Sequence, residues 1–289
     1  MSYRVIKGEE LSAALERIAQ EEFRDALALL VQRNQPEAIH EVRKTIKRIR
    51  ALLRCLRVAL PESFFQRENR RLGDAGRKVS APRDLQVQLR VLSQIKAASQ
   101  SAGRAVRREM LQRQARLQRE MPSLRRALRQ VLRQSGQTVR GWPLRRANPV
   151  AVTASLSDSY RRARRCCRAA CRNPTPENLH DCRKTVKSLG YGFELFEDIL
   201  PRKFAKMTRS CDELAENLGD NHDLFLVLES LRREHEANPT DEYATLARRI
   251  DKRRAKLARR AFKIGRPLFR QKPAAFARRL QKLLCRRVG

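Results

Sequence analysis

Aromatic residues make up only 5% of this 289-residue chain, with a single Trp, so it shows none of the stacking platforms or RNP-like motifs that grip single-stranded nucleic acid. Acids are scarce too: 31 Asp and Glu stand against 65 Lys and Arg. An acid–His cluster stands at Asp220-Asn221-His222-Asp223, with no second dense carboxylate group to complete a two-metal site. A Walker A loop is missing, as are zinc-finger spacing and a helix-turn-helix. The seven cysteines, Cys55, Cys166, Cys167, Cys171, Cys182, Cys211 and Cys285, are odd in number and include no Cys-x-x-Cys; they read as reduced thiols, mostly small core residues. No signal-peptide pattern and no apolar run of roughly 18 residues is present, so a cytosolic chain without a membrane span is expected. Alternating β-branched runs are absent, which argues against strands.

What remains is positive charge laid on helical periodicity. The formal charge is +34 and the pI about 11.3, a self-repulsion that a polyanionic partner would offset, while 41% hydrophobic residues suffice for a core. Apolar residues recur every three or four positions, predicting an all-α protein with helices over 10–32, 37–59, 63–79, 84–100, 104–133, 151–172, 177–199, 203–218, 223–237, 241–263 and 274–287. Gly and Pro punctuate 137–149, which reads as a linker between internal repeats of about 1–136 and 150–289 within a single domain.

The repeat is explicit in the sequence. Pro36 to Pro61 and Pro176 to Pro201 align without a gap, 140 positions apart, and both begin Pro-Glu-x-Φ-His-acid-x-Arg-Lys-Thr-Φ-Lys, where Φ is apolar. Phe64 answers Phe204, and after a one-residue slip Arg83-Asp84-Leu85 answers His222-Asp223-Leu224. A period this long, present twice, predicts two pseudo-symmetric antiparallel helical bundles rather than a solenoid. On a helical wheel, Ile39, Val42, Ile46, Ile49, Leu53 and Leu56 form one stripe, matched by Leu179, Cys182, Val186, Leu189, Phe193 and Phe196. A second stripe carries His40, Arg43, Lys47, Arg50 and Arg54, with Lys44 beside it; the second copy offers His180, Arg183, Lys184 and Lys187. Pro36 and the Thr175-Pro176 pair mark helix starts, placing both histidines near the positive end of a helix dipole. Asp84 and Asp223 read as caps of the helices that follow them. Arg161, Arg165, Arg168 and Arg172 form a further basic face, and Lys252, Arg253, Lys256, Arg259, Arg260 and Lys263 another; each reads equally as partner contact or solvated surface.

These two His-headed basic helices, His40-x-x-Arg43-x-x-Ile46-Lys47 and His180-x-x-Arg183-x-x-Val186-Lys187, each followed by Arg83-Asp84 or His222-Asp223, resemble the CHAD family, the conserved histidine α-helical domain, in its stand-alone form. The resemblance implies a basic central cleft or pore between the halves that binds inorganic polyphosphate without catalysis, and an association with polyphosphate granules in the cytoplasm. The polyphosphate-binding residues it implies are His40, Arg43, Lys44, Lys47, Arg50, Arg54, Arg83, His180, Arg183, Lys184, Lys187 and His222, with no catalytic residue, metal ligand or cofactor. A phosphate polymer needs closely held Arg, Lys and His donors and no base-stacking surface. The second copy departs from the family pattern: Lys187-Ser188-Leu189-Gly190-Tyr191 lacks two cations, and Glu194 stands where Arg54 stands in the first. The first copy is therefore expected to bind phosphate more strongly, with Gly190 permitting either close helix packing or close approach of a chain. The rival readings are a nucleic-acid-binding basic helical protein, a polyphosphate-processing enzyme, and a scaffold for an acidic protein surface.

Overall fold

A computed structural model describes residues 3–31, 36–95, 101–239 and 241–288. Among them are ten α-helices and no strand: α1 (Leu11–Val31), α2 (Pro36–Cys55), α3 (Glu62–Lys78), α4 (Ser80–Gln94), α5 (Ser101–Gln137), α6 (Pro149–Arg172), α7 (Pro176–Glu194), α8 (Arg202–Ala237), α9 (Glu242–Leu268) and α10 (Pro273–Val288). The chain is all-α, as its periodicity requires. The far ends of the helices expected over 10–32 and 84–100 fall on residues outside those described.

Local chemistry accounts for the helix starts. Asn148 Oδ1 accepts from the Ala151 amide at 2.9 Å ahead of Pro149. Thr175 Oγ1 accepts from the Asn178 amide at 3.2 Å ahead of Pro176. In each case a side chain satisfies an orphan first-turn donor and proline fills the position whose amide needs no partner. Between α5 and α6, Val139–Gly141 and Leu144–Arg146 form two 3-10 turns. They bury Val139, Trp142 and Leu144, and the Trp142 ring meets Phe23 and Phe64 edge-on.

Two expectations are corrected. The break placed between 203–218 and 223–237 does not exist, because α8 runs unbroken from Arg202 to Ala237. Gly219 within it stays helical, and its missing side chain makes room for the Arg183 guanidinium: a Cβ there would lie 3.0 Å from Nη2. In the first repeat the corresponding stretch does divide, into α3 and α4 at Val79. The expected helix start at 84 is also displaced: α4 begins at Ser80 and places Asp84 inside the helix, while Asp223 lies within α8. Neither aspartate caps a helix.

The largest core takes buried residues from α1, α2 and α3, the C-terminal part of α5, and α6, α7, α8, α9 and α10. A smaller one joins Leu85 and Leu92 of α4, Val106 and Met110 of α5, Leu224 to Leu231 of α8, and Ile250 and Leu257 of α9. The repeat's apolar stripes, from Ile39 to Leu56 and from Leu179 to Phe196, lie wholly in the larger core. Helices α2 and α7 pack directly on each other. Gly192 allows it: a Cβ there would stand 2.8 Å from Leu156 Cδ2 and 3.2 Å from Cys55 Sγ. Gly190 serves the α7–α8 approach in the same way, with Cys211 Cβ 3.0 Å from where its Cβ would be.

At the α2–α7 crossing, Arg48 Nη2 donates to Glu194, and Arg54 Nη1 donates to Ser188 Oγ at 3.2 Å. Given the repeat offset, these are the same pair of positions with their roles exchanged. Arg48 also reaches Glu22 of α1 at 3.4 Å and lies 5.0 Å over the Tyr3 ring. Burial pushes the Glu22 carboxyl up to about 7 despite the opposing pull of Arg48.

Candidate functional site: a cation cluster where the repeated helices meet

Helices α3, α4 and α7 pack against α2, and each supplies groups to its cationic stripe. Arg43 is mostly buried and donates to Asp84 Oδ1 and the Ser80 carbonyl, both at 3.3 Å. Arg183, its repeat counterpart, lies on the backbone of Gly219 in α8. Both guanidiniums thus rest on the stretch of the following helix that aligns between the two copies.

Lys47 forms no ion pair among the described residues. Its side chain is exposed to solvent, yet atoms of the neighbouring helices crowd it. That loss of bulk hydration, followed by the charges of Arg43, Arg183 and Lys187, pushes its ammonium down to about 8, with Asp84 pulling weakly the other way. Cations from α2 and α7 therefore converge on one point. Lys187 is partly compensated: its Nζ donates to Asp212 Oδ1 at 2.9 Å and sits 5.1 Å from the Tyr191 ring centre.

The histidines fall in two groups. His40 is exposed; partial desolvation and then the Arg83 charge lower its pKa from the usual imidazole value, against the pull of Glu41. The His180 and His222 rings lie with their centres 4.7 Å apart and their planes tilted by 38°, and His180 Nδ1 is buried without a hydrogen-bond partner. Burial, then Lys184 and Arg183, lower His180. Burial, then His180 and Arg183, push His222 down to about 4, against Asp84. Both rings are neutral near pH 7 in the free protein, each ready to take a proton when negative charge approaches.

The far end of the α2 stripe is built differently. Arg50 Nε donates to Asn69 Oδ1 at 3.0 Å. Arg54 donates to the Arg50 carbonyl at 3.3 Å, Ser188 Oγ at 3.2 Å and Asn69 Oδ1 at 3.5 Å. Burial, followed by Arg50 and Arg162, pushes Arg54 down to about 10.

Of the twelve residues singled out in the sequence, the structure gathers His40, Arg43, Lys47 and Arg83 with His180, Arg183, Lys187 and His222, and sets Arg50 and Arg54 along the same helix. Lys44 and Lys184 stand apart: each pairs with an acid one turn earlier, Glu41 at 3.5 Å and Asp181 at 2.7 Å. Sequence reasoning missed Asp84 and Asp212 as ion-pair partners, because both lie on other helices. It also passed over Arg254 of α9, whose charge reaches His222 and whose Nε is buried without a partner. Its signal was present in the dense basic run around it. Among the described residues, no group of three His, Cys, Asp or Glu is placed to hold a metal ion, and no helix is long and apolar enough to cross a membrane.

The family model described as the CHAD domain matches residues 11–232. Among solved structures, the crystal structure of the CHAD domain from the plant Ricinus communis matches with a TM-score of 0.61 over 93% of this chain and 94% of that one, at 17% identity. At that identity the likeness speaks to the fold. No curated protein matches the chain.

Proposed function

The chain belongs to the CHAD-domain family, and from that premise and the cation geometry we propose that it binds inorganic polyphosphate, without cleaving it, between the two repeated helices. The observation that carries this reading is Lys47. Its ammonium is held among Arg43, Arg183 and Lys187 and forms no ion pair among the described residues, an arrangement that costs stability in the free protein and is relieved by an anion shared among the four. A phosphate chain supplies negative charge at close intervals and accepts bidentately from arginine. The same chemistry favours association with polyphosphate granules.

The deciding experiment titrates the protein with long-chain polyphosphate over rising salt and then competes it with duplex DNA or RNA at equal phosphate concentration. Saturable binding that weakens steeply with salt by counterion release, and that survives the competitor, is expected. Displacement by the duplex would move the assignment to nucleic acid. Shortening of the polymer on a gel with added magnesium would overturn the non-catalytic part.

The histidines give this binding a pH profile. Affinity is expected to rise from about pH 8 to about pH 5.5, with proton uptake on binding, as polyanion contact recovers the depressed imidazole pKa values. Above about 8 it should fall as Lys47 loses its charge. The sign for stability is opposite in the free protein. Between the ordinary imidazole pKa of 6.5 and the lowered folded values, the unfolded chain binds more protons, so the unliganded fold loses stability as pH falls through that window. Titrations at three pH values check this, and His180→Ala with His222→Ala should flatten the acid limb.

A further inference from the structure

The exchanged contacts at the α2–α7 crossing are chemically unequal. On one side Arg48 meets Glu194. On the other Arg54 meets Ser188, so the cation that would complete the match finds a neutral hydroxyl. Arg54 is left with two oxygen acceptors besides Ser188, the Arg50 carbonyl and Asn69 Oδ1. Arg50 shares that Asn69 oxygen and is packed over Gly73, where a Cβ would approach its Cζ to 3.2 Å. Arg162 of α6 is exposed, makes no ion pair among the described residues, and lies close enough for its charge to act on Arg54. The carboxylates within electrostatic reach are already engaged: Asp74, which acts on Arg50, pairs with Arg77, and Asp181, which feels Arg162, pairs with Lys184 at 2.7 Å.

Two partly buried guanidiniums, Arg50 and Arg54, thus share one oxygen where one flank of the crossing lacks its acid, with the exposed Arg162 within electrostatic reach. Partly buried cations left without a counter-charge are costly, and an external anion offsets that cost. Ser188 adds a donor: its Oγ accepts from Arg54, which leaves its own O–H to give. Fixed arginine forks and a free hydroxyl suit the tetrahedral oxygens of a phosphoryl group.

We propose that Arg50, Arg54 and Arg162, with the Ser188 hydroxyl, form a discrete phosphoryl subsite at the C-terminal end of α2, opened by the loss of the reciprocal acid at the α2–α7 crossing. The inference rests on the polyphosphate reading and deepens it: one phosphate of the chain is anchored here, and Arg162 and Ser188 are specificity residues outside the repeated cationic stripes. A ligand of only a few phosphates suffices to occupy it.

The test uses the full chain with two probes, tripolyphosphate and long-chain polyphosphate, and three variants. Ser188→Glu supplies the missing acid to Arg54. It is expected to raise the melting temperature of the unliganded protein and to weaken tripolyphosphate binding by about tenfold or more, the range of a lost charge-assisted contact. Arg162→Glu should weaken tripolyphosphate by about the same factor and gives the answer should the serine variant fold poorly. Arg259→Glu, on the exposed face of α9, makes the same change in net charge as Arg162→Glu, larger than that of Ser188→Glu, and should leave tripolyphosphate affinity near wild type. If wild type binds the long polymer but Ser188→Glu and Arg162→Glu leave tripolyphosphate affinity unchanged, or Arg259→Glu weakens it equally, the subsite is wrong while the polyphosphate reading stands. If wild type binds neither probe, both are wrong.

Discussion

Replacing Lys47 with glutamate is expected to weaken long-chain polyphosphate binding by about 100-fold, taking roughly tenfold for each unit of charge in a reversal, while the protein melts no earlier than wild type. The two effects have one cause. Lys47 holds no ion pair among the described residues, and its neighbours Arg43, Arg183 and Lys187 all repel it, so the free protein loses only the weak pull of Asp84 when the ammonium goes and gains three attractive contacts from the carboxylate. The polymer loses the point where cations from both repeats act together. A titration at fixed moderate salt reads the affinity, and thermal denaturation followed by circular dichroism reads the fold. Arg43→Glu is a poorer probe, because it would also set a carboxylate against Asp84 at the position of an existing 3.3 Å pair. Loss of binding in the Lys47 variant with an unchanged melt separates function from stability, whereas unchanged affinity would remove Lys47 from the site.

The neighbouring cation behaves in the opposite way. Arg48→Ala is expected to cost about 3–5 kcal/mol of stability, the range for removing one partner of a buried ionic group. At about 2–4 °C per kcal/mol for a chain approaching this size, that is a drop of roughly 6–20 °C in Tm. Burial works against the Arg48 charge, but Glu194 and Glu22 outweigh it and hold its pKa above the ordinary value. Without the guanidinium those two carboxylates face each other across the α1–α2–α7 junction beside the Tyr3 ring. Glu22 already stands at about 7 with its partner in place. A folded-state carboxyl pKa raised above its unfolded value gives stability that is present at low pH and lost as pH rises through the folded value. The difference in melting temperature between wild type and variant should therefore widen from about pH 5.5 to about pH 8. Polyphosphate binding measured well below the variant's melting temperature should stay close to wild type.

Lys47 and Arg48 also show how far the sequence could be read. Adjacent residues on a helix point about 100° apart, which separates one that faces the partner helix's cations from one that enters the core edge. Periodicity located both apolar stripes and the cationic stripe, because these depend on position along a single helix. It could not supply partners on other helices: Asp84 lies 41 residues from Arg43, and Asp212 lies 25 from Lys187. The roles given to Asp84 and Asp223 turned on where a helix begins, and a helix start four residues earlier than expected turned Asp84 from a cap into a counter-ion. The break expected between 218 and 223 failed for a related reason, since α8 runs through it and Gly219 there is the seat of Arg183. The loss of cations after Lys187 was plain in the sequence. That Glu194 answers Arg48, while Ser188 leaves Arg54 unanswered, depended on the packing of α2 against α7.

The most direct measurement is a crystal structure of the protein bound to polyphosphate. The account predicts a chain of phosphates running between α2 and α7, with Lys47 and Arg183 both within hydrogen-bond distance of its oxygens. A polymer lying on the outer faces of α5 or α9, with Lys47 and Arg183 untouched, would contradict it.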